Sequence, residues 1–177
     1  MRYPTTACLA TLLLVPLAVS HAAGPVGVSG RTGCHENPKK VDRLEITQPG
    51  VFENYLVDGN WQTGNRVKIT ADNVTLRHCE IRDCGGNGVG VFGRNIVIEN
   101  CRIHHLLNST FKKQHDAHGI TGRWNNITIR NCVIRSIGSQ GIQPVAKDCV
   151  IEKNLFQKIG SNKFQHGICG SEPGTII

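Results

Sequence analysis

The chain has 177 residues, with 20 Lys and Arg against 13 Asp and Glu, which gives a formal net charge of +7. A basic surface suits an anionic partner such as an acidic polysaccharide. Nucleic acid is disfavoured, because the basic residues are interspersed with acidic ones and only 5% of the residues are aromatic and able to stack on bases.

The first 22 residues have the features of a secretory signal peptide. Arg2 precedes an apolar run over residues 7–19, and small residues suited to cleavage follow at Ser20 and Ala22. The run is too short to span a membrane, so we do not expect an integral membrane protein, and Pro16 argues against the alternative of a buried N-terminal helix. We predict a secreted, periplasmic or cell-surface protein.

An internal repeat occupies residues 51–177, after a lead-in or cap predicted for residues 23–50. The repeat reads NVTLRHCEI at 73–81, NIVIENCRI at 95–103, NITIRNCVI at 126–134 and, more loosely, DCVIEKNLF at 148–156. The copies start 22, 31 and 22 residues apart, so the unit is constant apart from one nine-residue insertion. A repeat near this period is typical of a solenoid.

Each copy alternates apolar and polar residues with a period of two, broken once, which predicts two short strands separated by a bend. A third strand follows after a small loop, as at Gly88 to Val91. Three strands per turn describe a coil, and an earlier coil over residues 51–72 brings the total to about five. The predicted fold is therefore an all-β, single-stranded parallel β-helix, whereas a leucine-rich horseshoe would need a helical stretch in each turn.

Stacking the copies aligns like residues in columns. One outward column alternates in charge, which supports the register because opposite charges attract on neighbouring strands; it contains Arg77, Glu99, Arg130 and Glu152. One inward column consists of cysteines and is continued by Asn154; it contains Cys79, Cys101 and Cys132.

The chain has eight cysteines, of which Cys8 would leave with the signal peptide. We expect the inward cysteines to be packed as small apolar thiols, with one strained disulfide as the alternative. The other cysteines are freer to pair: Cys34, Cys84, Cys149 and Cys169. The sequence lacks the Cys-x-x-Cys spacing of structural zinc sites.

The insertion, residues 107–115, comes immediately before a third strand and is basic. It brings together several groups that the repeat does not require, namely Lys112, Lys113, His115, Asp116 and His118, with Arg123 and Trp124 one strand later. A loop that departs from a rigid repeat is where function is usually carried. His118 has an alternative role, because it shares a column with His166 and could be a hydrogen-bonded polar stack residue. His104 and His105 are weaker candidates, because His104 aligns with Arg82, Arg135 and Gln157, the profile of a solvated outer face.

A column of glycines opens the third strands: Gly88, Gly119, Gly141 and Gly167. If this column faces outward, it forms a groove floor without side chains on which a sugar chain, with Trp124 nearby, could lie. The alternative is that the glycines only permit a sharp bend before the strand. At the C-terminus, Ile177 follows a third strand without a cap, so we expect either a fragment of a longer β-helix or a partner subunit that covers the end.

The strings NVTLRHCEIRD, RNIVIENCRIHH, NITIRNCVIRSIG and QHDAHGITG resemble right-handed parallel β-helix repeat proteins of the pectin-lyase-like superfamily over about residues 51–170. This resemblance implies a right-handed coil with three parallel sheets, in a superfamily dominated by exported enzymes that act on polysaccharides. These include lyases, mannuronan epimerases and polygalacturonase-like hydrolases. The pectate lyase and polygalacturonase catalytic strings are missing, apart from the pair His118-Gly119.

The chemistry of the insertion favours a polysaccharide lyase or uronate epimerase. As a hypothesis, Lys112, Lys113 or Arg123 neutralises the uronate carboxylate, His115 or His118 takes the proton, and Asp116 orients a histidine or binds a cation. Hydrolysis is less favoured, because Gly85 and Gly138 lie opposite Asp116 and leave it without a second carboxyl group. The alternative function is non-catalytic carbohydrate binding or a structural role at the cell surface.

No cofactor is firmly indicated, and no metal site is predicted. Calcium is the one candidate that elimination chemistry raises. A calcium ion would need several oxygen ligands. The sequence offers only Asp116, with Asp83 as a distant second ligand.

Overall fold

The computed structural model describes residues 31–107, 117–122, 126–143, 147–160 and 166–170. Over these residues the chain winds into a coil built from short parallel strands. In chain order they are β1 (Lys39–Val41), β2 (Leu44–Ile46), β3 (Gly50–Glu53), β4 (Tyr55–Asp58), β5 (Val67–Ile69), β6 (Val74–Arg77), β7 (Glu80–Cys84), β8 (Val89–Val91), β9 (Ile96–Glu99), β10 (Arg102–Leu106), β11 (Ile120–Gly122), β12 (Ile127–Arg130), β13 (Val133–Ile137), β14 (Ile142–Gln143), β15 (Val150–Glu152) and β16 (Leu155–Ile159).

The strands form three parallel sheets that run the length of the coil. Sheet A has the order β1-β4-β7-β10-β13-β16, sheet B the order β14-β11-β8-β5-β2, and sheet C the order β15-β12-β9-β6-β3. One strand of each sheet per turn, repeated about five times, confirms the predicted β-helix. The first strand of the described residues begins at Lys39, within the segment predicted as a lead-in, and β1 and β2 already belong to sheets A and B.

The core is a set of stacked aliphatic columns. Inward residues of one coil meet their equivalents in the next, as in the column of Val74, Ile96 and Ile127, which are each about 1% exposed. Full burial of such a side chain contributes about 1.5–3 kcal/mol relative to exposure. This burial explains the period-two alternation of the sequence.

The residue that opens each repeat, which is Asn in three of the four copies, forms a corner between sheets B and C. Asn73, Asn95 and Asn126 have φ of 57°, 56° and 60°, in the left-handed region that Asn tolerates better than most residues. Their amides also form a ladder, in which Asn95 Nδ2 donates to Asn73 Oδ1 over 3.0 Å and Asn126 Nδ2 donates to Asn95 Oδ1 over 2.6 Å. The corner therefore favours Asn for both its backbone and its side chain, while Asp148 adopts the same conformation, with φ of 55°, in the fourth copy.

The predicted charge column is confirmed, and Glu53 extends it. The strand register places Glu53, Arg77, Glu99, Arg130 and Glu152 on neighbouring strands. Arg77 Nε lies 2.6 Å from Glu53 Oε2, and Arg130 Nη2 lies 2.7 Å from Glu99 Oε2. The hydrogen bond from Arg77 lowers the pKa of Glu53.

The inward cysteine column is a stack of thiols, as predicted. No disulfide joins the seven described cysteines, so neither the alternative strained disulfide nor a pairing among Cys34, Cys84, Cys149 and Cys169 is present. The thiol of Cys101 lies 3.7 Å from the carbonyl of Leu76, and that of Cys132 lies 3.7 Å from the carbonyl of Ile98. Burial raises the pKa of Cys101 well above its usual value, which keeps the sulfur protonated.

Candidate functional site

The edge between sheets A and B is where the coil departs from regularity. The connections there run over 42–43, 59–66, 85–88, 107–119 and 138–141, with lengths of 2, 8, 4, 13 and 4 residues. The corners from sheet C to sheet A contain only one or two residues. Loops of varied length on a rigid scaffold are the usual location of a binding or catalytic site.

Most of the predicted catalytic residues lie outside the described residues. These are Lys112, Lys113, His115, Asp116 and Arg123, together with the predicted sugar-binding residue Trp124. The structure places His118 and the four glycines of the third-strand column.

His118 takes part in a stack of side chains that accept hydrogen bonds from the backbone. Its own N–H donates to Asn87 Oδ1 over 2.9 Å, and its Nδ1 accepts from the N–H of Gln140 over 3.3 Å. Because Nδ1 is an acceptor, the proton of the neutral ring lies on Nε2. This arrangement favours the stack role over the role of a base.

The predicted outward orientation of the glycine column is wrong. Gly88, Gly119 and Gly141 are buried, and a Cβ atom at Gly88 would lie 2.7 Å from the carbonyl oxygen of Gly119. Equivalent atoms at Gly119 and Gly141 would lie 2.4 Å from the carbonyl oxygens of Gly141 and Gly167. The glycines thus permit close approach of successive coils and do not form an exposed groove floor.

The eight-residue connection 59–66 folds over the short connection of the next coil. A Cβ atom at Gly85 would lie 2.0 Å from the carbonyl oxygen of Trp61, so only glycine fits beneath it. Arg66 anchors the loop from inside, where its Nη1 donates to Gln62 Oε1 over 3.1 Å. The loop presents Trp61, which is 46% exposed, as an aromatic surface that the sequence analysis did not single out.

A polar cleft of about 470 Å³ opens beside this loop on the outer face of sheet A. Its lining residues include Lys40, Asp42, Leu56, Asp58 and Arg82. Arg82 Nη2 lies 2.9 Å from Asp58 Oδ2, and Arg82 Nε lies 3.6 Å from Asp83 Oδ2. Arg82 therefore connects the cleft to the polar groups at the end of β7.

The next strand carries a histidine pair that sequence reasoning underestimated. His104 is only 5% exposed, so its interpretation as a solvated outer-face residue is wrong. Its Nε2 lies 3.0 Å from Glu80 Oε1, and its Nδ1 lies 3.0 Å from His105 Nδ1. Burial lowers the pKa of His104, and the neighbouring Glu80 opposes this in part.

His105 is the exposed member of the pair, with 49% of its side chain accessible. Its Nδ1 lies 3.7 Å from Asp83 Oδ1, so a protonated His105 would face a carboxylate. A signal in the sequence was available, because the two histidines lie near the end of the strand that runs directly into the insertion.

Two arginines flank the histidines on the same face. Arg102 precedes them on β10, and Arg135 lies beside His104 on the neighbouring strand β13. Neither forms an ion pair within the described part of the chain. The Nε of Arg135 is buried and lacks a hydrogen-bond partner there.

A comparison with protein families identifies the fold independently. The model described as right handed beta helix region matches residues 65–172, more than half of the chain. The chain belongs to the right-handed β-helix family. This membership agrees with the resemblance to the pectin-lyase-like superfamily. Comparisons with curated proteins and with solved structures give no match.

The described part of this right-handed β-helix protein shows no metal centre. No group of three or more His, Cys, Asp or Glu side chains there could hold a metal ion. Asp83, the distant candidate for calcium, faces Arg82 and His105. Among the same residues, no helix is long and apolar enough to cross a membrane.

Proposed function

We propose that this right-handed β-helix protein is exported, binds an acidic polysaccharide and acts on it as a lyase or a uronate epimerase. The observation that carries the proposal is the outer face of sheet A next to the longest connection. There, Arg102 and Arg135 flank His104 and His105 and have no ionic partners among the described residues.

The chemistry of uronate elimination and epimerisation matches such a face. Both reactions remove a proton from the carbon beside a carboxylate, so they need a cation to neutralise that carboxylate and a base for the proton. The strands that carry Arg102 and Arg135 are neighbours, about 4.8 Å apart, which allows both guanidinium groups to contact one bound chain. Lys112, Lys113 and Arg123 are proposed to add further positive charge.

The exposed Trp61 supports a sugar ligand. Aromatic rings combine a large apolar face with low conformational entropy. The backbone N–H of Trp61 donates to the carbonyl of Asp83 over 2.6 Å, which holds Trp61 at the same edge. The overall charge of +7 favours an anionic polymer over a neutral one.

The activity is tested by incubating the full-length protein with pectate, alginate and glycosaminoglycans, with and without calcium. A lyase should produce absorbance from the unsaturated uronate. An epimerase should exchange the proton beside the carboxylate with deuterium from heavy water. Neither signal on any of these polymers would contradict the enzymatic proposal.

The binding face is tested with charge-neutral variants. Arg102→Gln and Arg135→Gln should each raise KM about tenfold or more, because a hydrogen bond to a charged group contributes about 1.5–3 kcal/mol. Arg94→Gln removes the same charge at an exposed position between sheets B and C and serves as the control. Equal effects of all three variants would argue against a specific face.

Export is tested separately, by producing the chain with its N-terminus intact in a secreting host. The mass of the recovered protein should correspond to cleavage after Ser20 or Ala22. Recovery of the uncleaved chain would contradict the predicted signal peptide.

The second candidate is polysaccharide binding without catalysis. It is favoured by the hydrogen bonding of His118, which accounts for this histidine as part of the scaffold. Calorimetric binding of a polyanion in the absence of elimination and of proton exchange would support it.

A further inference from the structure

We propose that His105 Nε2 is the general base of the reaction, and that Glu80 and His104 hold His105 in the tautomer that leaves this nitrogen unprotonated. The inference rests on the proposed function and names the proton acceptor of that site. Glu80 and His104 are positioning residues, because they act through His105.

The first contact fixes the proton of His104. An ionised carboxylate only accepts hydrogen bonds, so the 3.0 Å contact between Glu80 Oε1 and His104 Nε2 places a proton on Nε2. Burial favours the neutral ring of His104, as the direction of its pKa shift shows. In the neutral ring, Nδ1 then carries a lone pair.

The second contact determines the tautomer of His105. The two Nδ1 atoms lie 3.0 Å apart, and two ring nitrogens form a hydrogen bond only when one of them carries the proton. Because Nδ1 of His104 is the acceptor, Nδ1 of His105 must be the donor. The neutral His105 ring therefore has its free lone pair on Nε2.

That lone pair is available to a ligand. Half of the His105 side chain is exposed, and Nε2 forms no hydrogen bond with the described residues. In His118, by contrast, Nδ1 is the acceptor and already receives the N–H of Gln140. The histidine pair thus supplies the base that the His118 geometry does not.

The residues around His105 also suit the positive charge that develops on its ring. When Nε2 takes a proton, the ring becomes an imidazolium, and Asp83 Oδ1 at 3.7 Å from Nδ1 stabilises it. The charged groups that face the pair are Glu80, Arg82 and Asp83 from β7, Arg102 from its own strand and Arg135 from β13.

In a uronate elimination, the proposed base acts at C5, the carbon beside the carboxylate. The C5 proton passes to His105 Nε2, the C5–H electron pair forms the C4–C5 double bond, and the C4–O bond breaks. The departing oxygen takes a proton from solvent water. In an epimerisation, the same proton removal is followed by protonation of C5 from water on the opposite face.

The tautomers can be measured without any substrate by NMR of the protein with nitrogen-15 in its histidines. At neutral to mildly basic pH we expect His104 to carry its proton on Nε2 and His105 to carry its proton on Nδ1. Glu80→Leu removes the acceptor, so His104 can hold its proton on Nδ1 and the proton of His105 should move to Nε2. A proton on Nε2 of His105 in the unsubstituted protein would overturn the relay.

The catalytic role is tested with His105→Asn on whichever polymer is turned over. Asn removes the base but tolerates the left-handed backbone at this position, where φ is 56°. We expect kcat to fall by about 10²–10⁴-fold, the usual contribution of general base catalysis, with a smaller effect on KM. The control is Ser136→Asn. Ser136 lies at the equivalent position of the next strand, where φ is 52°, and the variant should keep the kcat of the unsubstituted protein.

The outcomes separate the two proposals. Turnover that survives His105→Asn overturns the assignment of the base and leaves the proposed function standing. The expected tautomers without turnover of any polymer overturn the proposed enzymatic function, and the catalytic role of His105 with it.

Discussion

Side chains in the column of His118 accept hydrogen bonds from backbone N–H groups one coil further along. Asn87 Oδ1 accepts from His118, His118 Nδ1 accepts from Gln140, and Gln140 Oε1 accepts from His166, over 2.9, 3.3 and 2.7 Å. The position thus requires an acceptor and is satisfied by three residue types. The need for an acceptor therefore accounts for a histidine at position 118 without a catalytic role.

We expect His118→Ala to lower the free energy of unfolding by about 1–3 kcal/mol, because it leaves the buried N–H of Gln140 without this acceptor. His118→Asn should recover most of the loss, since Asn87 Oδ1 accepts the equivalent backbone hydrogen bond one coil earlier. Chemical denaturation of both variants measures the difference. Equal destabilisation by Ala and Asn would contradict the acceptor role, and loss of turnover in His118→Asn at unchanged stability would restore His118 as a base.

The buried His104 should make stability depend on pH. Its folded-state pKa lies below the ordinary value of 6.5, so the unfolded chain binds more protons as the pH falls below that value. The contribution of neutral His104 is present above about pH 6.5 and is lost as the pH falls through the folded-state pKa.

The measurement is the free energy of unfolding between pH 7.5 and 5.5 for the protein and for His104→Gln. The variant should show a flatter dependence. His78, whose pKa is also lowered by burial, retains its own part in both proteins. Parallel curves for the two would contradict the assignment to His104.

At the scale of the strands, close stacking depends on the missing side chains of the third-strand glycines. An alanine at Gly119 would place its Cβ 2.4 Å from the carbonyl oxygen of Gly141, which belongs to rigid backbone. At Gly167 the nearest atom is Cγ of Phe156 at 3.2 Å, and a side chain can move more easily.

We therefore expect Gly119→Ala to destabilise the protein by about 1–3 kcal/mol, as overpacking of a core does. Gly167→Ala should cost less and serves as the control. Thermal or chemical unfolding gives both values. Equal losses would indicate that loss of glycine itself, and not the contact with the next coil, is responsible.

Strand positions were predictable from the sequence because each inward residue meets its own equivalent in the next coil. The register of Arg77, Glu99 and Arg130 follows from the repeat alone. The orientation of Gly88 and the burial of His104 were not predictable, since both depend on atoms of neighbouring coils. A period-two pattern assigns faces within a strand but not at a corner, and Gly88 lies at one.

For the whole molecule, the formal net charge is +7. Binding of a polyanion should therefore weaken steeply with ionic strength, because the screening length falls from about 30 Å at 0.01 M to about 3 Å at 1 M salt. Titrations at several salt concentrations, with a neutral polysaccharide as the control, measure this dependence. An affinity that does not change with salt would contradict electrostatic recognition.

One outward column alternates between Glu and Arg, so the sign of its charge repeats with every second coil. The column consists of Glu53, Arg77, Glu99, Arg130 and Glu152. Coils that carry Glu have connections of 8 and 13 residues between sheets A and B, whereas the coils of Arg77 and Arg130 have connections of 4. Excision of residues 73–94 would keep every aliphatic column but place Glu53 beside Glu99. Excision of 73–125 would place Glu53 beside Arg130. The core repeats with every coil, while the surface repeats with every second one, so a shortened or lengthened version of this protein should be built in pairs of coils.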